Sequence, residues 1–322
     1  MSTISQPNCS HISHFLLSGI PYLEDFNLWL GILLILMYIV AVMGNSSILY
    51  IIQVNQELHG PMYIFLFMLS VLDLLIATNT MPRMLGIFWT DDKEIPFGNC
   101  LTQMFFIHFF STLESGILLA MAVDRYVAIC HPLRYSSILT NERIGMMFAL
   151  MVGRGALVMV PLPFIINRFP EWKGNVLSHS YCLHQEIMKL ACGDITVNII
   201  YGLFINILVM GIDSLFISHS YLLIIKTVHG LVEDASMKAF GTCTAHICAV
   251  LIFYIPIIGV AVVHRFQNPT APNLHILFGN VYLLVPPVTN PLIYGIKTNQ
   301  IRIGFRKVYD KIIHQVKTSR NI

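Results

Sequence analysis

Charge is what this sequence has least of. Charged residues make up 11% of its 322 residues and hydrophobic ones 56%, whereas a soluble domain carries about a quarter charged residues. That deficit excludes an ordinary water-soluble globule and makes lipid the solvent for most of the chain. Heptads, low-complexity tracts and internal repeats are also missing, which excludes coiled coils and solenoids. The seven cysteines show no paired spacing of the kind a zinc site needs, so no metal centre is expected. No HExxH-like motif and no Ser/His pairing suits an intramembrane enzyme. The two related halves of many transporters are absent too. A net charge of +2 gives no reason to expect nucleic acid as a partner.

What is present is a set of apolar stretches at about 28–54, 61–88, 101–130, 144–167, 196–226, 240–264 and 274–296. A hydrocarbon core about 30 Å thick takes roughly 20 residues per helix. Backbone polar groups in lipid leave only helices or closed barrels, and these stretches lack the period-two alternation of barrel strands. The fold expected is an all-α seven-transmembrane bundle with residues 28–296 as the membrane domain. Lys and Arg set its orientation. None precedes Arg83, whereas seven follow the last span, from Lys297 to Arg320. The C-terminal segment 297–322 is therefore expected inside the cell and the N-terminal segment 1–27 outside, in a multi-pass plasma-membrane protein. The first 27 residues lack a basic start, an apolar core and a small-residue cleavage site, so no removable signal peptide is expected. Residues 300–309 are basic and amphipathic, suited to a short helix lying on the anionic inner leaflet.

Asn8-Cys9-Ser10 fits the N-glycosylation sequon on the side expected to face the secretory lumen; Asn45-Ser46-Ser47 fits as well but lies in a span. Cys100 and Cys182 can meet in an oxidising compartment. Prolines 256, 286, 287 and 291 interrupt the sixth and seventh spans; each frees a carbonyl and kinks its helix, and kinked helices can pivot. Ionisable residues inside spans are functional candidates by default. Asp73, Glu114 and the amides Asn45 and Asn290 could converge, either on a hydrated sodium ion or proton, or as a water-filled hydrogen-bond network with one protonated acid. No other cofactor is expected. Arg154, inside the fourth span, reads as pairing or snorkelling within the bundle in preference to contacting ligand. His131, His219 and His246 read as packing or surface histidines.

MAVDRYVAICHPLRY at 121–135 closely resembles the third-helix signature of olfactory receptors. The sequence also looks like that family at Gly44-Asn45, Leu58-His59-Gly60-Pro61-Met62-Tyr63, Leu69-Ser70 with Asp73, Ser220-Tyr221, KAFGTCTAH (238–246) and PPVTNPLIY (286–294). These blocks run in order over nearly the whole chain. HSYCLHQEIMKLAC (179–192) and VVHRF (262–266) look like the fish-like, class I branch. The resemblance implies a rhodopsin-like G-protein-coupled receptor for a small odorant, coupled to the stimulatory olfactory G protein and adenylyl cyclase. It implies that Asp124, Arg125 and Tyr126 form an activation-sensitive lock, that Asn290, Pro291 and Tyr294 form the seventh-helix switch, and that Cys100 and Cys182 form a disulfide. Two positions depart from the family. Trp172 stands about where another cysteine is expected, leaving Cys192 without an obvious mate. Ala245 replaces a serine common in the sixth-helix block.

Small ligands of such receptors sit between the outer halves of the helices, in mostly apolar pockets with a few placed polar groups. The polar candidates are Arg265 at the outer end of the sixth helix, its neighbour His264, His108 in the third, and Gln185 three residues after Cys182. Phe105, Leu203, Ile207, Ile257 and Ile258 are the expected apolar wall. Arginine offers a rigid fork of donors suited to a carboxylate, so a small carboxylic acid with an aliphatic tail is the expected ligand. Alternatively, Arg265 snorkels to lipid headgroups or pairs with a loop acid. An acid of about eight heavy atoms gains on the order of −6 kcal/mol, a dissociation constant of tens of micromolar.

Overall fold

The computed structural model describes residues 9–19, 26–230, 233–265 and 274–308, without the side chains of 233–240, 242, 264, 265, 274 and 275. Among them are seven helices long and apolar enough to cross a membrane: α1 (Asn27–Val54), α2 (Pro61–Thr90), α3 (Phe97–Cys130), α4 (Asn141–Asn167), α5 (Thr196–Val228), α6 (Glu233–Arg265) and α7 (Leu274–Lys297). A short helix, α8, occupies 299–308. Each apolar stretch became one helix. The ends moved by a few residues because helices run past the hydrocarbon until a breaker stops them: Pro61 opens α2 behind Gly60, where a missing N–H is harmless, and Thr140 caps α4 by accepting from the Arg143 N–H.

α3 is the most buried span and forms the axis of the bundle. Gly44 lets α1 approach α7 closely, since a Cβ there would lie 2.9 Å from Pro291. The same contact repairs the α7 backbone. Pro291 has no N–H for the carbonyl of Pro287, four residues earlier, and Asn45 Nδ2 donates to that carbonyl instead at 2.9 Å. α5 contains one π-helical turn, Asn206–Gly211, which adds a residue to the inward face.

One end of the bundle carries structure that hydrophobic periodicity did not indicate. Three short strands, β1 (His14–Leu17), β2 (Glu94–Pro96) and β3 (Val176–Leu177), form a sheet in the order β2-β1-β3. β1 runs antiparallel to β2, with Phe15 opposite Ile95, and parallel to β3. Phe15 and Leu17 point inward and are fully buried. Trp172 packs edge-on to Phe15 and Phe97, while its backbone exchanges hydrogen bonds with Ser10 at 3.0 and 2.9 Å.

Two disulfides lock this end. Cys100 is joined to Cys182, and Cys192 to Cys9. The second pairing corrects the expectation that Cys192 has no mate: its partner comes from the N-terminal segment, brought within reach by the Ser10 bridge to Trp172. Asn8 lies outside the described residues.

Candidate functional site

Beneath the loop that follows Cys182, α3, α5, α6, α7 and the loop helix His184–Leu190 line a cavity of about 80 Å³. The loop is pinned to α3 by Cys100–Cys182 and by Gln103, whose Oε1 accepts the Cys182 N–H at 3.0 Å while its Nε2 donates to the Asn79 carbonyl. That anchor carries Leu183, His184 and Gln185 over the cavity. Gly279 of α7 admits the loop on the other side, because a Cβ there would collide with the Tyr181 hydroxyl. Ser111 accepts a hydrogen bond from Tyr282, joining α3 to α7 at the cavity wall.

His108 and Gln185, both expected in the pocket, line it. Two buried ring nitrogens, Nε2 of His108 and Nε2 of His184, have no hydrogen-bond partner. Burial, with His108 nearby, holds the His184 imidazole at a pKa of about 3, so it is neutral at physiological pH. Leu203 lines an adjoining recess with His184, Gln185 and Asn206. Ile257 lines the main cavity.

Three expected wall residues line neither the cavity nor the recess. Ile207 and Ile258 point out of the bundle, 60% and 52% exposed. The α5 residues that line the cavity are Ile205, Asn206, Val209 and Met210, the π turn shifting which residues face in. Ile258 is one residue, about 100° of helix, past the inward Ile257. Phe105 stacks on Phe109, which packs against Gly155 of α4. The α6 backbone reaches Arg265, but the side chains of His264 and Arg265 lie outside the described residues.

A polar chain crosses the middle of the bundle. Arg154 of α4 binds both carboxylate oxygens of Asp213 on α5 at 2.7 Å. Ser115 of α3 donates to Asp213 at 2.7 Å and shares a 2.8 Å hydrogen bond with Tyr254 of α6. Arg154 thus pairs within the bundle, as its sequence reading has it. Asp213, Ser115 and Tyr254 were missed; the one available signal was an acid inside a span.

Deeper, Asn290 Nδ2 donates to both oxygens of Asp73 at 3.1 and 3.2 Å. Buried Glu114 lies within electrostatic reach of Asp73, and its Oε1 has no partner. Asn45 spends its amide N–H groups on the Ala41 and Pro287 carbonyls, leaving Oδ1 unpartnered. The described residues contain no cluster of three His, Cys, Asp or Glu side chains that could hold a metal.

At the far end, Arg125 pairs with its neighbour Asp124 at 2.7 Å, and Tyr135 donates to the other Asp124 oxygen at 2.6 Å. Tyr126 bonds His131 at 3.2 Å. His246 of α6 ties Tyr221 of α5 (2.6 Å) to the Leu118 carbonyl of α3 (3.0 Å), so it is a buried structural link. Tyr294 is fully buried, its hydroxyl 4.0 Å from Met121 Sδ.

Three comparisons place this architecture among known proteins. The olfactory receptor family profile matches residues 34–312. Olfactory receptor 51E1 of Homo sapiens is 52% identical over 95% of this chain and 96% of its own length, and olfactory receptor 51E2 of Mus musculus is 53% identical over 93% of each. Squid rhodopsin superposes with a TM-score of 0.74 at 17% identity, covering 92% of this chain and 88% of the rhodopsin chain, a likeness of fold alone.

Proposed function

This chain belongs to the olfactory receptor family of seven-helix G-protein-coupled receptors, signalling proteins and not enzymes, and from that premise we propose that it detects a short carboxylic acid in the cavity beneath the loop helix His184–Leu190. In this reading the sheet-bearing end and residues 1–27 are extracellular, with a glycan on Asn8. The basic segment 297–322 is cytoplasmic, and the receptor works in the plasma membrane on the stimulatory olfactory G protein to raise cAMP.

The observation that carries the ligand reading is the pair of unpartnered histidine nitrogens in the cavity. A buried polar group without a partner is unfavourable, and a neutral imidazole N–H suits a carboxylate oxygen. Gln185 supplies a further donor, and Arg265, at the end of α6, supplies the countercharge. The size agrees: at roughly 10–15 Å³ per water-sized sphere, about 80 Å³ takes a ligand of only about five to eight heavy atoms.

Activation is a population shift. A ligand that favours the active arrangement by about 3 kcal/mol changes the ratio of states by roughly two orders of magnitude, and the proline-bent α6 and α7 are the moving parts. Asp124, Arg125 and Tyr126 form the lock, Asn290, Pro291 and Tyr294 the switch. Asp73, Glu114, Asn290 and the Asn45 amide oxygen hold a hydrated sodium ion or share a proton; hard oxygen donors and two unpartnered buried atoms favour such an occupant.

The test is Arg265→Ala assayed by cAMP over a panel of straight-chain acids, with surface expression measured in parallel. Potency for active acids should fall about tenfold or more, the weight of a charge-assisted pair. Unchanged potency for every active acid would sink the acid reading.

A further inference from the structure

A second, larger hollow lies far from the cavity. Between α3, α4 and α5 a groove of about 420 Å³ opens on the outer surface of the bundle. All three helices cross the membrane, so what the groove opens on is hydrocarbon. Its floor is made by small residues, Gly116 and Ala120, and its rim by Leu150 and Phe216, 67% and 57% exposed. Met147 and Met151 line it with adaptable, polarizable side chains.

The unusual member is Arg154, whose side chain is 29% exposed to the groove side of the bundle. It lies thirteen positions from each end of α4, about 20 Å of helix either way at 1.5 Å per residue. It therefore sits near the bilayer midplane, out of reach of headgroups and of bulk water. Guanidinium has five N–H donors and no acceptor. Two donors are spent on Asp213 and Nε is itself buried without a partner, which leaves one further N–H on each of Nη1 and Nη2 to meet an occupant of the groove. Asp213 already balances the charge, so an anion is not called for. What the site lacks is an oxygen acceptor on a molecule that dissolves in hydrocarbon.

We propose that this groove binds, from the bilayer, a neutral lipophilic molecule with one oxygen acceptor, an alkyl ketone, ester or alcohol, its oxygen on the Arg154 guanidinium and its chain along Met147 and Met151. The ester carbonyls of phospholipids stay near the interface and do not reach this depth. The site is independent of the acid cavity. Through Asp213, Ser115 and Tyr254, an occupant there acts on α6.

The experiment uses full-length receptor in phosphatidylcholine nanodiscs and an eleven-carbon methyl ketone carrying a diazirine and a terminal alkyne. Photolabelling should concentrate on 147–154 and 216–220. Excess 2-undecanone should suppress it about fivefold more than undecane, the discrimination expected of one hydrogen bond. Leu150→Trp, at the lipid-exposed rim, should abolish the focused labelling. Arg154→Met combined with Asp213→Asn, which leaves no unpaired charge, should keep labelling in the groove but make the ketone and the alkane equal competitors. Labelling spread over all lipid-facing helices, equal competition in the unmodified receptor, or indifference to both variants would each overturn the proposal.

Discussion

The two ends of the bundle are built in opposite ways. The sheet-bearing end is held by two disulfides, three paired strands and an aromatic cluster around Trp172. The opposite end has no such ties among the described residues; beside the Arg125–Asp124 ion pair it is held by single hydrogen bonds from side chains: Tyr135 to Asp124, Tyr221 to His246, and His246 to the Leu118 backbone carbonyl. Covalent ties fix a cavity's shape, which suits recognition of a small ligand. A net hydrogen bond is worth only about 1 kcal/mol, so the opposite end can rearrange at a scale a ligand's differential binding can supply.

Breaking the rigid end should have the largest effect. Cys100→Ser or Cys182→Ser opens a tie between residues 82 apart, worth about 4–5 kcal/mol by loop entropy, an upper bound because the spans already restrict the unfolded chain. Acid-evoked cAMP and the thermal midpoint of the purified receptor should both collapse; near-normal values would show that the sheet and Gln103 suffice to hold the loop.

A smaller effect comes from acid. The His184 pKa is depressed to about 3, below the ordinary 6.5 or so of an unfolded histidine. The folded form stays neutral while the unfolded form takes up a proton, so the contribution to stability is complete above the unfolded value. It shrinks as pH falls below that value and is exhausted near the folded one. Between pH 7 and pH 5 the loss is about 2 kcal/mol. Thermal midpoints should therefore fall over that interval, and His184→Gln should flatten the slope; an unchanged slope would mean the imidazole is not sealed beneath the loop.

The smallest effect belongs to the labile end. Tyr135→Phe removes one hydrogen bond to Asp124, about 1 kcal/mol, and should raise ligand-independent cAMP about fivefold without changing the thermal midpoint much. A silent variant would show that Asp124 and Arg125 hold together without it.

Several readings were legible because they depend on local properties. Helix number and extent follow from apolar length, and the chain's resemblance to its family follows from contiguous blocks such as 121–135 and 286–294. That His108 and Gln185 line one cavity was legible from their distance to Cys100 and Cys182. Other features were not. β1 is four residues long and pairs with segments far along the chain. Ile207 was expected in the wall, because no residue pattern announced the π turn that contains it. Asp213 carried a signal, an acid in a span, but not the identity of its partners.

The sequence by itself determined the solvent of this protein: a chain so poor in charge over seven long apolar stretches lowers its free energy only by placing helices in hydrocarbon, residue by residue. Only the tertiary structure decided which buried polar groups meet, because Ser115 and Asp213 are 98 residues apart, Asn290 and Asp73 217, and Cys9 and Cys192 183. Transfer free energy adds up along a chain and can be read locally; a hydrogen bond or disulfide depends on the rotation and depth of two separately folded segments, and only their packing sets those.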